Sequence, residues 1–417
     1  MGACCSHHIR RRRNSESDLD DYEREEDNVV SFGDFGARVR LRGFSGFVSM
    51  YSQQGQKGVN QDTMTVWEDF TGEGDMIFCG VFDGHGPLGH RIGQYVRDVL
   101  PSKLSETIKM AQQKVDKYND VSDNNEDNEH KSLALWESCF HKSFDETDED
   151  IARDINIDCF CSGSTAVTVI KQRDQLIIGN LGDSRAVLCT RGDKDNLIPV
   201  QLTVDLKPNL PREASRIFSC EGRVFAAEEE PDVYRIWMAD DDCPGLAMSR
   251  AFGDFCLKDY GLISTPDVFY RKLTQKDEFV VLATDGIWDV LNNTEVINIV
   301  ASAPKRSIAA KMLVKHAVRA WACKYPNARV DDCAVVCLFL KDEPHVDSTA
   351  GNQRGEKKNH SHGDEDIESG EITPDAVEEW QAMEGLTRAN SVSKIPRLAR
   401  DMSRRNSTRH HEGARIY

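Results

Sequence analysis

The sequence has no run of about 18 apolar residues, the length a helix needs to cross a bilayer, so it encodes no membrane-spanning helix. Its first residues hold no apolar stretch suited to a secretory signal, which predicts a reducing compartment for its 13 cysteines. Zinc spacing is also lacking, because Cys159 and Cys161 form a lone C-x-C with no second pair. Most other cysteines stand singly in apolar runs, as Cys79, Cys189 and Cys337 do, where a thiol packs as a small hydrophobe. Net positive charge is missing too. With 52 basic and 70 acidic residues the formal charge is −18, which argues against nucleic acid as the main partner. No internal repeat is visible.

What is present divides into three parts. Residues 1–36 are polar and charged, 37–342 carry the apolar pattern of one folded domain, and 343–417 turn polar again and read as a disordered tail. Strands are predicted at "GFVSMYS", "MIFCGVF", "STAVTVI", "QLIIGN", "RAVLC", "EFVVLAT" and "AVVCLFL", all rich in β-branched or aromatic residues. Helices are predicted near 87–100, 132–154, 293–302 and 307–323. Many strands with grouped helices imply sheet layers covered by helices, an α+β architecture. Residues 111–131 hold too few apolar side chains to pack and read as an acidic surface insertion.

The informative residues are acids at the ends of apolar runs. "VFDGHG" brings a strand into Asp83, Gly84 and His85; "ATDGIWDV" brings another into Asp285, with Asp289 four residues on. "NLGDSRAVL" places Asp183 between two apolar runs, "KGVNQD" puts Asp62 just before "TMTVW", and Asp331 and Asp332 precede "CAVVCLFL". One such match is what an ordinary strand-ending turn gives, and spacing alone leaves open a scatter of turn residues. If the acids converge, their mutual repulsion calls for cations among them, and an oxygen-rich set favours Mg²⁺ or Mn²⁺.

These motifs, with "SGSTA", "LAMSRAFGD" and "STPDV", occur in an order that resembles the metal-dependent serine/threonine protein phosphatases of the type 2C family over roughly residues 44–340. "KPNLPREASRI" and "EGRVF" are most similar to its plant branch. The resemblance implies an αββα sandwich, two antiparallel-rich sheets with helices outside and a two-metal site at one end. Asp83 would bridge two ions, the Gly84 carbonyl would bind one, and Asp285 and Asp331 would hold the other. Asp62 would act at the site's edge, and Asp183 and Asp289 match a possible third metal position. Asp332 is the alternative to its neighbour Asp331. Two ions would lower the pKa of a shared water so that hydroxide can attack phosphorus, and His85 would protonate the departing alkoxide.

Two positions depart from the family pattern. Lys57 stands where an Arg commonly grips the substrate phosphate, and a point charge replaces a two-toothed fork. Gln61 stands where a Glu is common. Neither removes an implied metal ligand, and activity with a raised KM is the expectation.

The two ends carry other signals. Gly2 and Ser6 satisfy the myristoylation pattern, Cys4 and Cys5 are suited to palmitoylation, and Arg10 to Arg13 adjoin them. Acyl chain and basic cluster together predict a peripheral anchor on the cytoplasmic face of the plasma membrane, with a cytosolic or nuclear pool. The last thirty residues, 388–417, hold eight basic residues against two acids and read as a disordered basic tail, or as a segment for a membrane, an acidic partner or the chain's own cleft. The expected partners are phosphorylated proteins, for a monomer. The rival readings are a catalytically inactive phosphatase fold serving as a membrane-bound binding module, and a hydrolase of small phosphoesters.

Overall fold

The computed structural model describes residues 30–32, 37–40 and 47–341, less 73–75, 119–126, 155–156 and 229. The acylation residues Gly2, Cys4 and Cys5, the basic cluster and the tail from 342 onward lie outside the described residues.

In chain order the elements are β1 (Val30–Phe32), β2 (Ala37–Arg40), β3 (Val48–Gln53), β4 (Asp62–Glu68), β5 (Met76–His85), α1 (Gly89–Tyr118), α2 (Asp127–Arg153), β6 (Gly163–Ser164), β7 (Ala166–Gln172), β8 (Gln175–Leu181), β9 (Arg185–Arg191) and β10 (Leu197–Gln201). There follow α3 (Pro211–Ser219), β11 (Arg223–Ala226), β12 (Tyr234–Trp237), β13 (Phe252–Gly253), α4 (Phe255–Lys258), β14 (Asp267–Lys272), β15 (Asp277–Ala283), α5 (Asp285–Trp288), α6 (Asn293–Ala301), α7 (Ala309–Lys324) and β16 (Cys333–Phe339).

One sheet runs β1-β2-β4-β5-β7-β8-β14, with β6 and β13 appended, and the second runs β10-β9-β15-β16-β3. All pairings are antiparallel except β2 with β4. The strands are apolar along their length because both faces are covered. In β5, Phe78 and Phe82 join the cluster under α1 and α2, while Cys79 and Val81 face the other sheet. In β16, Val335 and Cys337 face the helices and Val336 and Leu338 face inward. Each of these two strands thus alternates between two dry interfaces, the period-2 consequence of the pleat. α6 and α7 cover the second sheet through Val296, Ile297, Leu313 and Ala317. The four layers are the expected αββα sandwich.

The long helices correct one expectation. α1 does not stop near residue 100 but continues to Tyr118, with Pro101 inside it. Leu100, Leu104 and Ile108, four apart, keep its buried stripe going, and that burial outweighs the roughly 3 kcal/mol a helical proline costs. Much of the expected insertion at 111–131 is therefore helix, and only 119–126 fall outside the described backbone. Among the described residues no helix is long and apolar enough to cross a membrane.

Candidate metal and phosphate site

The acids meet at one end of the sandwich because the strands that carry them end there. Asp62 opens β4 and stands directly across from Asp83 in β5. Asp285 opens α5 where β15 ends, and Asp331 and Asp332 lead into β16, the neighbour of β15. Asp183 sits in the turn from β8 to β9, one residue of which is Gly182, at φ +100. A hydrogen bond ties the two sheets at this mouth, the Thr284 hydroxyl donating to Asp62 at 2.7 Å.

Asp83 does not end its strand and is not a solvent-exposed acid. β5 continues two residues past it to His85, and Asp83 is only 7% exposed. Burial first, then the charges of Asp62 and Asp285, hold its carboxyl well above the usual range. Asp62 is raised by burial and by Asp332, partly offset by Thr284. Asp289 is raised by burial and Asp285. Asp285, 3% exposed, is pushed up to about 7 by burial, Asp331 and Asp183. In these four, neighbouring acids add to the effect of burial, which is the signature of like charges confined together.

Two ammonium groups relieve part of that repulsion. Lys57, from the loop after β3, is bonded to Asp331. Lys207 is bonded to Asp183 at 2.5 Å. Burial works against each lysine's charge, but the surrounding carboxylates outweigh it and raise both. Even so, buried oxygens on Asp183, Asp285 and Asp289 have no hydrogen-bond partner. Among the described residues no three such groups enclose a cation as they stand. Asp331 and Asp183 are instead drawn to the two ammonium groups.

The adjacent acids take different partners. Asp332 accepts the backbone N–H groups of Gly55 at 2.7 Å and Gln61 at 2.8 Å, so both its oxygens pin the loop after β3. The Gln61 side chain donates to the Gly86 carbonyl at 2.9 Å, away from the acids. Gly84, beside Asp83, lies so close to the Gly89 backbone that a Cβ there would overlap it.

His85 completes the mouth. Its Nε2 lies 2.5 Å from Asp254 Oδ2, and it is 3% exposed. Burial opposes its charge, but Asp254, by charge and hydrogen bond, wins and raises its pKa. Nδ1 has no partner. Asp254 and Lys207 are the residues that sequence reasoning missed. Both lie inside stretches that carried the resemblance, "LAMSRAFGD" and "KPNLPREASRI", but no strand runs into Lys207 and only the two-residue β13 runs into Asp254, which is in the left-handed region at φ +50.

Crowded carboxylates with unpartnered buried oxygens, beside an imidazole whose pKa a carboxylate raises, suit a hydrolytic site that uses cations. The sequence profile described as Protein phosphatase 2C matches residues 48–325. "Probable protein phosphatase 2C 73" of Oryza sativa subsp. japonica is 53% identical over 386 residues, covering 88% of this chain and 90% of its own. "Probable protein phosphatase 2C 65" of Arabidopsis thaliana is 57% identical over 310 residues, covering 74% and 80%. The crystal structure of serine-threonine phosphatase 2C from Toxoplasma gondii matches with a TM-score of 0.62 at 25% identity, over 70% of this chain and 94% of that one. The chain belongs to the protein phosphatase 2C family, in company with plant members. It is a metal-dependent protein-serine/threonine phosphatase.

Proposed function

We propose that this phosphatase works with two Mg²⁺ or Mn²⁺ ions held by Asp83, the Gly84 carbonyl, Asp285 and Asp331, with Asp62 at the edge. Asp183 and Asp289 would serve a further, weaker ion. The observation that carries this reading is the set of buried, unpartnered oxygens on Asp183, Asp285 and Asp289. An all-oxygen donor set suits these hard cations, and Asp331 and Asp183 would exchange their lysine partners for them. Asp331 is preferred over Asp332 because the latter's oxygens already hold backbone N–H groups. When bound, such ions supply hydroxide near neutral pH and offset charge on the phosphoryl oxygens.

The chain's own residues do the rest. Lys57 places a positive charge at the mouth for the substrate phosphate. Asp254 holds the His85 imidazole at Nε2 and keeps it charged, so Nδ1 can give the leaving Ser or Thr oxygen its proton. Phosphate release from a phosphothreonine peptide tests the assignment. Activity with Mn²⁺ or Mg²⁺ should vanish in EDTA and fall by about 10³ in Asp83→Asn. Full activity in that variant sinks the ligand assignment. Folded wild type that stays inert with saturating metal favours the binding-module reading.

We also infer a membrane tether through Gly2 myristate, Cys4 and Cys5 palmitate and the arginines at 10–13, which would hold the protein at the cytoplasmic face of the plasma membrane. The full chain made with an N-myristoyltransferase should sediment with anionic vesicles, and Gly2→Ala should stay in the supernatant. Equal partitioning of the two argues against the tether.

A further inference from the structure

Next to the His85–Asp254 pair lie two thiols that the phosphatase chemistry does not use. The stretches that carry them run side by side: the Asp254 N–H donates to the Ser162 carbonyl and the Cys256 N–H to the Phe160 carbonyl, both at 2.9 Å. Cys161 and Cys256 face each other across this seam with sulfurs 3.5 Å apart. They are 9% and 6% exposed and packed among Met238, Leu246 and Leu257. Neither is in a disulfide. Ordinary packing accounts for a thiol among apolar neighbours, but it does not require sulfur against sulfur.

The seam is mechanically joined to the catalytic imidazole on two sides. Gly163, two residues after Cys161, is packed so tightly that a Cβ would overlap both the Asp254 carboxylate and the His85 ring. Gly86, the residue after His85, takes φ +82, and a Cβ there would overlap the Cys161 carbonyl. Cys256 is two residues from Asp254 in the chain. A displacement of Cys161 therefore reaches His85 through the backbone at Gly163 and Gly86, and one of Cys256 reaches it through Asp254 and its carboxylate.

We propose that Cys161 and Cys256 are an oxidant-sensitive dithiol, which a small hydroperoxide closes into an intramolecular disulfide that displaces the His85–Asp254 pair and slows the enzyme. A disulfide holds its sulfurs at about 2.05 Å, so this pair must close by about 1.5 Å from its present 3.5 Å. The two thiols lose two electrons and two protons in all. One thiolate attacks a peroxide oxygen, the O–O bond breaks, and sulfenic acid and water result with hydrogen peroxide. The second thiolate attacks that sulfur, the S–O bond breaks, and another water leaves. The low exposure of both sulfurs restricts the oxidant to one the size of hydrogen peroxide. The loss of activity rests on the reading of His85 as the proton donor; formation of the disulfide does not.

The test uses the full chain, metal-loaded and freed of reductant, exposed to hydrogen peroxide and then to a thiol-blocking maleimide. Non-reducing peptide mass spectrometry should find Cys161 joined to Cys256. Phosphate release should drop at least about tenfold in kcat, within the range a general acid contributes, with KM little changed, and dithiothreitol should restore it. Cys256→Ser and Cys161→Ser should keep basal activity and lose the reversible part of the inhibition. Both cysteines recovered as maleimide adducts, or Cys161 joined to Cys243 instead, would overturn the site. A complete cross-link with unchanged kcat would overturn its coupling to His85. The cross-link is read by mass in wild type, so it stands apart from whether the metal assignment above holds and from whether a variant folds.

Discussion

Asp254 shows how a residue far away in sequence can set the chemistry of another. It is 169 positions from His85, yet one contact at 2.5 Å fixes that imidazole's orientation and charge. Because Asp254 raises the His85 pKa, the acid form persists to higher pH than a free imidazole would allow. Asp254→Asn should lower kcat by about 10² and move the descending limb of the kcat–pH profile to lower pH. A profile unchanged in height and position would remove Asp254 from the mechanism. The metal-site acids were readable in the sequence since each borders an apolar run, and a carboxylate there has no packing role to explain it. Lys207 borders no such run and Asp254 only short apolar pieces on either side, and their roles come from contacts that only the fold creates. The choice between Asp331 and Asp332 was unreadable for the same reason, since it turns on which carboxylate the loop at Gly55 and Gln61 occupies.

Among the elements, burial decided what could be read. β5, β7, β8, β9, β15 and β16 are covered on both faces, so their sequences are continuously apolar and mark themselves. β10 and β14 have half-buried or exposed side chains throughout, and they carry no such mark. β11 and β12 form a two-stranded ribbon apart from the two sheets, with one further bridge from Ile236 to Leu246. The helix boundary misled at α1, expected to end near residue 100 but continuing to Tyr118 with Pro101 inside it. Propensity loses there to tertiary burial of Leu104 and Ile108, neither more than 2% exposed. The capping box at the start of α6 was on firmer ground, with Asn292 and Glu295 exchanging side-chain to backbone bonds at 2.9 and 2.7 Å, and the predicted and observed starts agree at 293.

For the whole molecule, the gathered acids make stability depend on metal and pH together. The carboxyls of Asp62, Asp83, Asp285 and Asp289 all have folded pKa values above the ordinary 3.8. The folded state therefore binds more protons than the unfolded one, and the stabilisation is complete below about pH 4 and lost as pH rises through the folded values. For Asp285 that value is about 7. In EDTA, the melting temperature should fall between about pH 5.5 and 8, and Mn²⁺ should raise it more at the upper end, where the ligands are ionised. A metal-free melting temperature that is flat or rising across that range would contradict the clustering of these acids.

Among the described residues β16 is the last strand in the chain, yet it is an inner strand of the second sheet, with β3 on one side and β15 on the other. The loop after β3 is likewise pinned by Asp332, 277 residues downstream of Gly55. A ribosome must therefore pass residue 339 before the first sheet-forming segment of that layer has its partner. A message cut short upstream, or a chain cleaved between α7 and β16 and parted from its end, leaves no weakened enzyme. It leaves an open sheet edge and a mouth without Asp331, so the last few dozen folded residues act as the switch by which completed synthesis confers activity.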